Sequence, residues 1–255
     1  MAPDGSPLDL SAGALAALLL SAFAAGLARG FSGFGGALIF MPLASATVGP
    51  RLAAPLLLVI DAVAATGMLP DAWRRADRRS VGVMALGALA GVPLGTAMLL
   101  HVDARTLRWL VVAVVAALLA LLVSGWRYRG QPSAPLAVLV GAVSGLFSGA
   151  AQVGGPPVVA YWLGGPSPSA TVRANVVLFF AASTVLSGAS YLGGGLVTRA
   201  VLILALAAGP AYALGLLLGS RLFGRADEAA FRRACLFLIA VAVVLGLPAL
   251  DGLLR

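Results

Sequence analysis

Ten stretches of the chain are apolar enough to read as membrane segments: 10–28, 31–48, 52–69, 81–100, 109–123, 136–149, 154–163, 174–192, 200–218 and 234–250. A crossing helix needs roughly 20 apolar residues at about 1.5 Å rise each. The second and seventh stretches each follow a glycine-rich break, and the seventh is too short to cross unless it continues through that break. The glycines repeat. Gly87, Gly91 and Gly95 answer to Ala211, Gly215 and Gly219 at an offset of 124, which Asp103 and Asp227 keep. Gly26 and Gly30 answer to Gly141 and Gly145 at 115, and Gly35-Gly36 to Gly154-Gly155 at 119. The pattern predicts an all-α, polytopic membrane protein whose single transmembrane domain, 1–255, holds two repeats, about 10–125 and 136–250, of five helical segments each.

Composition agrees: 61% of residues are hydrophobic, 10% are charged, and the mean hydropathy is +1.03, which excludes an ordinary soluble domain. The formal net charge of +8 comes from seventeen arginines and no lysine. They sit in clusters between apolar runs, with no continuous stripe for nucleic acid. Five true crossings per half put Arg29, Arg74, Arg75, Arg78, Arg79, Arg127, Arg129, Arg173, Arg221, Arg225, Arg232 and Arg233 on one side. Arg51, Arg105, Arg108, Arg199 and Arg255 fall on the other. The positive-inside tendency makes the first side cytoplasmic. A re-entrant second segment removes that asymmetry, so ten crossings, inverted repeats and both termini outside, in the periplasm, are expected. The Arg-only basic set beside so much Ala and Gly suits a bacterial inner membrane. The first nine residues hold Asp4 and Asp9 and no base, unlike a secretory signal, so the first apolar run is expected to be retained. The lone Cys235 forms no internal disulfide.

A few polar residues inside apolar runs need a reason. Asp61 lies nine residues into the third stretch, where an ionised carboxylate costs about 3 kcal/mol. It reads as a proton-coupling carboxylate or as an ion-pair partner of Arg29, Arg51 or Arg173. Ser32, Ser148 and Gln152 are the polar side chains of the two breaks, and Gly33, Gly35, Gly36, Gly154 and Gly155 let backbone N–H groups face a cavity. A half-helix that begins after a break presents free N–H donors and the positive end of its dipole, suited to an anion. Arg173 offers planar donors to an oxyanion or anchors a helix end; Asn175 binds substrate or cross-links helices. The glycines read equally as packing positions, since small residues let membrane helices approach. No metal-ligand spacing, no nucleophile paired with a base and no phosphate loop is found, so neither catalysis, metal nor cofactor is expected.

With these residues in hand, the chain resembles the TauE/SafE family of membrane permeases. The resemblance rests on Gly30-Phe31-Ser32-Gly33-Phe34-Gly35-Gly36-Ala37-Leu38 with Pro42, and on Gly154-Gly155-Pro156-Pro157-Val158-Val159-Ala160-Tyr161 followed by Val172-Arg173-Ala174-Asn175 and Phe179-Phe180. It covers nearly the whole chain. It implies a secondary transporter that exports a small anion such as sulfite or an organosulfonate. Alternating access at a midplane site between broken segments is expected, with a small anionic substrate, the lipid bilayer and a proton as candidate coupling ion for partners. A membrane interaction or assembly protein without cargo is the alternative.

Overall fold

The structure is a computed structural model and describes residues 10–32, 35–126, 128, 133–165, 168–222 and 228–251. These form α1 (Ala12–Ser32), α2 (Gly36–Val48), α3 (Pro50–Ala65), α4 (Leu69–Arg75), α5 (Arg78–His101), α6 (Ala104–Ser124), α7 (Ala134–Ala151), α8 (Gly155–Trp162), α9 (Ser169–Gly193), α10 (Arg199–Leu222) and α11 (Glu228–Gly246), with no strand among the described residues. Helices α1, α5, α6, α7, α9 and α10 are each long and apolar enough to cross a bilayer. The protein is an all-α, multi-pass membrane protein.

Two expectations are corrected. The second and seventh stretches are not full crossings in their own right: α2 has 13 residues and α8 has 8, about 20 and 12 Å at the helical rise, against a hydrocarbon core of about 30 Å. The third stretch also divides. α3 stops at Ala65, a 3₁₀ turn spans Thr66–Met68, and α4 leaves at 77°. Gly67 and Pro70 account for the division, because glycine weakens helix and Pro70 is tolerated in the first turn of a new one.

Two glycine ladders bind the long helices in pairs. A Cβ at Gly26 would lie 2.1 Å from the Tyr212 carbonyl oxygen, one at Gly30 the same distance from that of Leu216, and those at Gly215 and Gly219 2.2 Å from Phe23 and Leu27. Thus α1 and α10 touch backbone to backbone and run in the same direction. In α5 and α7, Gly87, Gly91 and Gly95 meet Val138, Ala142 and Leu146 in the same way, also in parallel. Close backbone approach replaces the hydrophobic effect as the glue between helices in lipid.

Measured by these contacts, α1 and α7 align differently from the 115 offset read in the sequence. Gly26 faces Tyr212 while Gly145 faces Ala88; Gly30 faces Leu216 while Gly149 faces Val92. With α5 and α10 related by 124, the α1 glycines therefore answer to Gly145 and Gly149 at 119, the offset of the breaks themselves. A ladder of glycines every four residues fits its partner equally well one turn away, so spacing alone does not fix the register.

Directions follow from contacts at helix ends. Asn175 meets Asp77 where α9 and α5 begin, and a Cβ at Gly194 would touch Leu100 where they end, so α9 runs with α5. Arg51, at the start of α3, donates to the Leu99 and Leu100 carbonyls at 3.1 and 2.6 Å, and further along α3 Asp61 meets Tyr212 of α10. Helix α9 ends at Gly193 and α10 begins at Arg199, so α10 starts at the end where α9 and α5 finish and runs opposite to α5, and α1 with it. Arg74, Arg75, Arg78, Arg79, Arg173, Arg221, Arg232 and Arg233 gather at one end of the bundle. Arg51, Arg105, Arg108 and Arg199 gather at the other, where Arg108 pairs with Asp251 at 2.6 Å. In the short link before α6, Asp103 accepts from the Thr106 N–H at 2.9 Å and caps the helix, and hydrogen bonds from Thr106 hold its carboxyl below the usual carboxylate range.

Candidate functional site

The two breaks face one cavity of about 60 Å³. It has space for several waters or one small oxyanion, since a water needs roughly 10–15 Å³ by the same measure. Gly35, Gly36, Ala37 and Leu38 line it from the first break, Ser148, Gln152, Val153, Gly155 and Pro156 from the second. Leu57 and Asp61 of α3, Phe180, Ser183 and Thr184 of α9, Tyr212 of α10 and Arg29 of α1 complete the wall.

Each break owes its shape to a few residues. Gly35 sits at φ 95°, in the left-handed region where a side chain is strained, and lets α2 start at once. A Cβ at Gly36 would lie 2.7 Å from the Ala25 carbonyl oxygen, so α2 folds back against α1. Gln152 adopts φ 57° without being glycine. It is held there because its backbone N–H and its side-chain amide both donate to the Ser148 carbonyl at 2.9 Å, ending α7. The buried Tyr191 locks this cap by donating to the Gly149 carbonyl at 2.8 Å and accepting from Gln152 at 3.2 Å. Ser144 donates to the Gly154 carbonyl at 2.6 Å, and no side chain fits at Gly154, whose Cβ would lie 2.2 Å from the Ser148 hydroxyl.

The charge in the wall is a single pair. The Arg29 guanidinium donates from Nε to Asp61 Oδ1 at 3.1 Å and from Nη2 to Oδ2 at 3.2 Å, a bidentate fork suited to a carboxylate. Tyr212 donates its hydroxyl to Asp61 Oδ1 at 2.5 Å, and the guanidinium carbon lies 5.3 Å from the centre of the Phe180 ring, within cation–π range. The opposite wall is neutral and polar. Ser183 is 4% exposed, and its hydroxyl has no hydrogen-bond partner among the described residues. A buried hydroxyl left unpaired, facing a cavity, is an unmet donor waiting for an acceptor.

The structure brings Gly35, Gly36, Asp61, Ser148, Gln152 and Gly155 to the cavity. Gly154 stands behind the lining, and the Gln152 amide is engaged in the helix cap. Gly33 and the side chain of Ser32 lie outside the described residues. Arg173 and Asn175 are elsewhere: Arg173 is exposed near the start of α9, and the buried Asn175 accepts from the Asp77 N–H at 2.8 Å, joining α9 to α5. The cation of the cavity is Arg29, which the sequence reading assigns to the cytoplasmic side. An arginine one residue ahead of a glycine break carries a signal, but its depth depends on how far the helix runs, and α1 continues to Ser32. Ser183 and Tyr212 lack even that signal, since one hydroxyl in a crossing helix looks like another.

A bundle of membrane-crossing helices, interrupted twice where the interruptions wall a small polar cavity, has the architecture of the carriers built on discontinuous helices. The family model described as "Sulfite exporter TauE/SafE" matches residues 18–245, and the chain belongs to that family. No curated protein and no solved structure matches it.

Proposed function

We propose that the protein is a secondary transporter of a small oxyanion, sulfite or an organosulfonate, in the export direction, working by alternating access around the cavity between the two breaks. The observation that carries this reading is the cavity's pairing of a partly buried guanidinium with an unpaired buried hydroxyl, flanked by the first turns of α2 and α8. The N–H groups of Gly36 and Ala37 begin a helix and have no partners within it. Together these line the cavity with hydrogen-bond donors and with a guanidinium whose present acceptor, Asp61, an oxyanion can replace. Arg29 is the cationic contact and Ser183 a neutral one. The non-transporting alternative expects packed side chains through the breaks, and the cavity speaks against it.

The halves are inverted duplicates in this reading. Support comes from the 119 and 124 correspondences, and from α1 and α10 running opposite to α7 and α5, their counterparts. The two glycine-ladder pairs, α1 with α10 and α5 with α7, are the units that rock against each other. With the arginine-rich end cytoplasmic, the protein sits in a bacterial inner membrane with both ends of the described chain on the periplasmic side.

The test is sulfite counterflow in proteoliposomes. Arg29→Ala combined with Asp61→Asn avoids leaving a buried charge unpaired and should abolish counterflow at unchanged membrane abundance, as should Gly155→Leu. Full counterflow with either protein would remove the cavity from the transport path.

A further inference from the structure

We infer that the anion enters this cavity together with one proton, carried on Asp61, so that solute and proton cross as a pair. The inference rests on the anion-transport reading above and deepens it. Among the described residues, the charged side chains of the cavity wall are Arg29 and Asp61 alone, so the unloaded site is neutral and its best anion-binding edge is already occupied. The Nε and Nη2 donors of Arg29 are both on the Asp61 carboxylate, and Phe180 stacks on the guanidinium. An anion that takes this edge displaces the carboxylate. An ionised Asp61 left without its cation, next to a second negative charge and away from bulk water, is strongly disfavoured.

Protonation removes the conflict. Asp61 faces Arg29 from α1 and Tyr212 from α10, while the lining residues of α2, α3, α7, α8 and α9 contribute no other titratable group. No neighbouring base competes for the proton. When Asp61 takes a proton from water on the open side, its carboxylate becomes a neutral acid that keeps Tyr212 as hydrogen-bond partner. Arg29 then turns its fork to the anion, and the cavity holds one cation, one anion and one neutral acid. On the far side the anion leaves, Arg29 closes again on Asp61, and the same proton returns to water. No other bond forms or breaks.

The measurement is calorimetric titration of the detergent-solubilised protein with sodium sulfite in two buffers of different ionisation heat, comparing wild type with Asp61→Asn. Protons exchanged by sulfite itself are common to both and cancel. The expected result is one more proton taken up per sulfite bound by wild type than by Asp61→Asn. In wild type, sulfite affinity should fall as pH rises, and Asp61→Asn should flatten that fall. Equal proton counts in wild type and Asp61→Asn would overturn the inference and leave the anion reading intact. If Asp61→Asn does not fold, a wild-type proton count no greater than sulfite itself exchanges overturns it equally. Absence of sulfite binding to wild-type protein that still melts cooperatively would defeat the anion reading, and this inference with it.

Discussion

In the proposed transporter, Ser183 offers its hydroxyl as a neutral contact for the solute. Its side chain is buried, does not bond back to its own helix and faces the cavity. Ser183→Ala should therefore weaken sulfite binding about fivefold to tenfold, the worth of one neutral hydrogen bond, without lowering the melting temperature. A larger loss of stability than of affinity would make it a packing residue instead. Arg29 behaves differently. Arg29→Ala alone should cost about 3 kcal/mol of stability, because it strands Asp61, and adding Asp61→Asn should restore most of it; thermal melts of the two proteins give the comparison. Arg173→Ala, at an exposed site off the cavity, should leave counterflow near the wild-type rate. Asp61 was legible from sequence because an acid in an apolar run has few explanations. Arg173 and Arg29 were harder to separate, since an arginine beside a break looks the same whether its helix has ended or has one more turn to go.

Among the helices, the glycine ladders set the tolerances. A Cβ at Gly91 would lie 2.1 Å from the Ala142 carbonyl oxygen, whereas one at Gly82, in the same helix, meets nothing within 4 Å. Gly91→Leu should force α5 from α7 and sharply reduce folded protein recovered from membranes, while Gly82→Leu should be recovered like wild type. Equal recovery would mean that the backbone contact is not what joins the pair. The ladders themselves were readable from four-residue spacing, as were the breaks. The partners were not. Spacing shows that a face is narrow and not which helix it meets or at which turn, and only the carbonyls opposite each glycine settle the 119 register. The lengths of α2 and α8 were also hidden, because an apolar run does not reveal where inside it the helix begins.

For the molecule as a whole, the proposed orientation follows from the arginine-rich end. In a Cys235→Ser background, Arg74→Cys should react with an impermeant maleimide only from the cytoplasmic side, and Arg105→Cys only from the periplasmic side; the reverse pattern would invert the proposed topology. Among the described residues, the charged cluster also exists only once. By the register of the contacts, Arg29 corresponds to Ser148 and Tyr212 to Ala88, so one half brings a guanidinium and a phenol where the other brings a hydroxyl and a methyl. In the proposed alternating-access carrier, the inward-facing and outward-facing forms are then not mirror images, and the unloaded state favours one side over the other. Half-saturation for sulfite should accordingly differ between the two faces of a uniformly oriented vesicle, a built-in sidedness that a perfectly duplicated pore would lack.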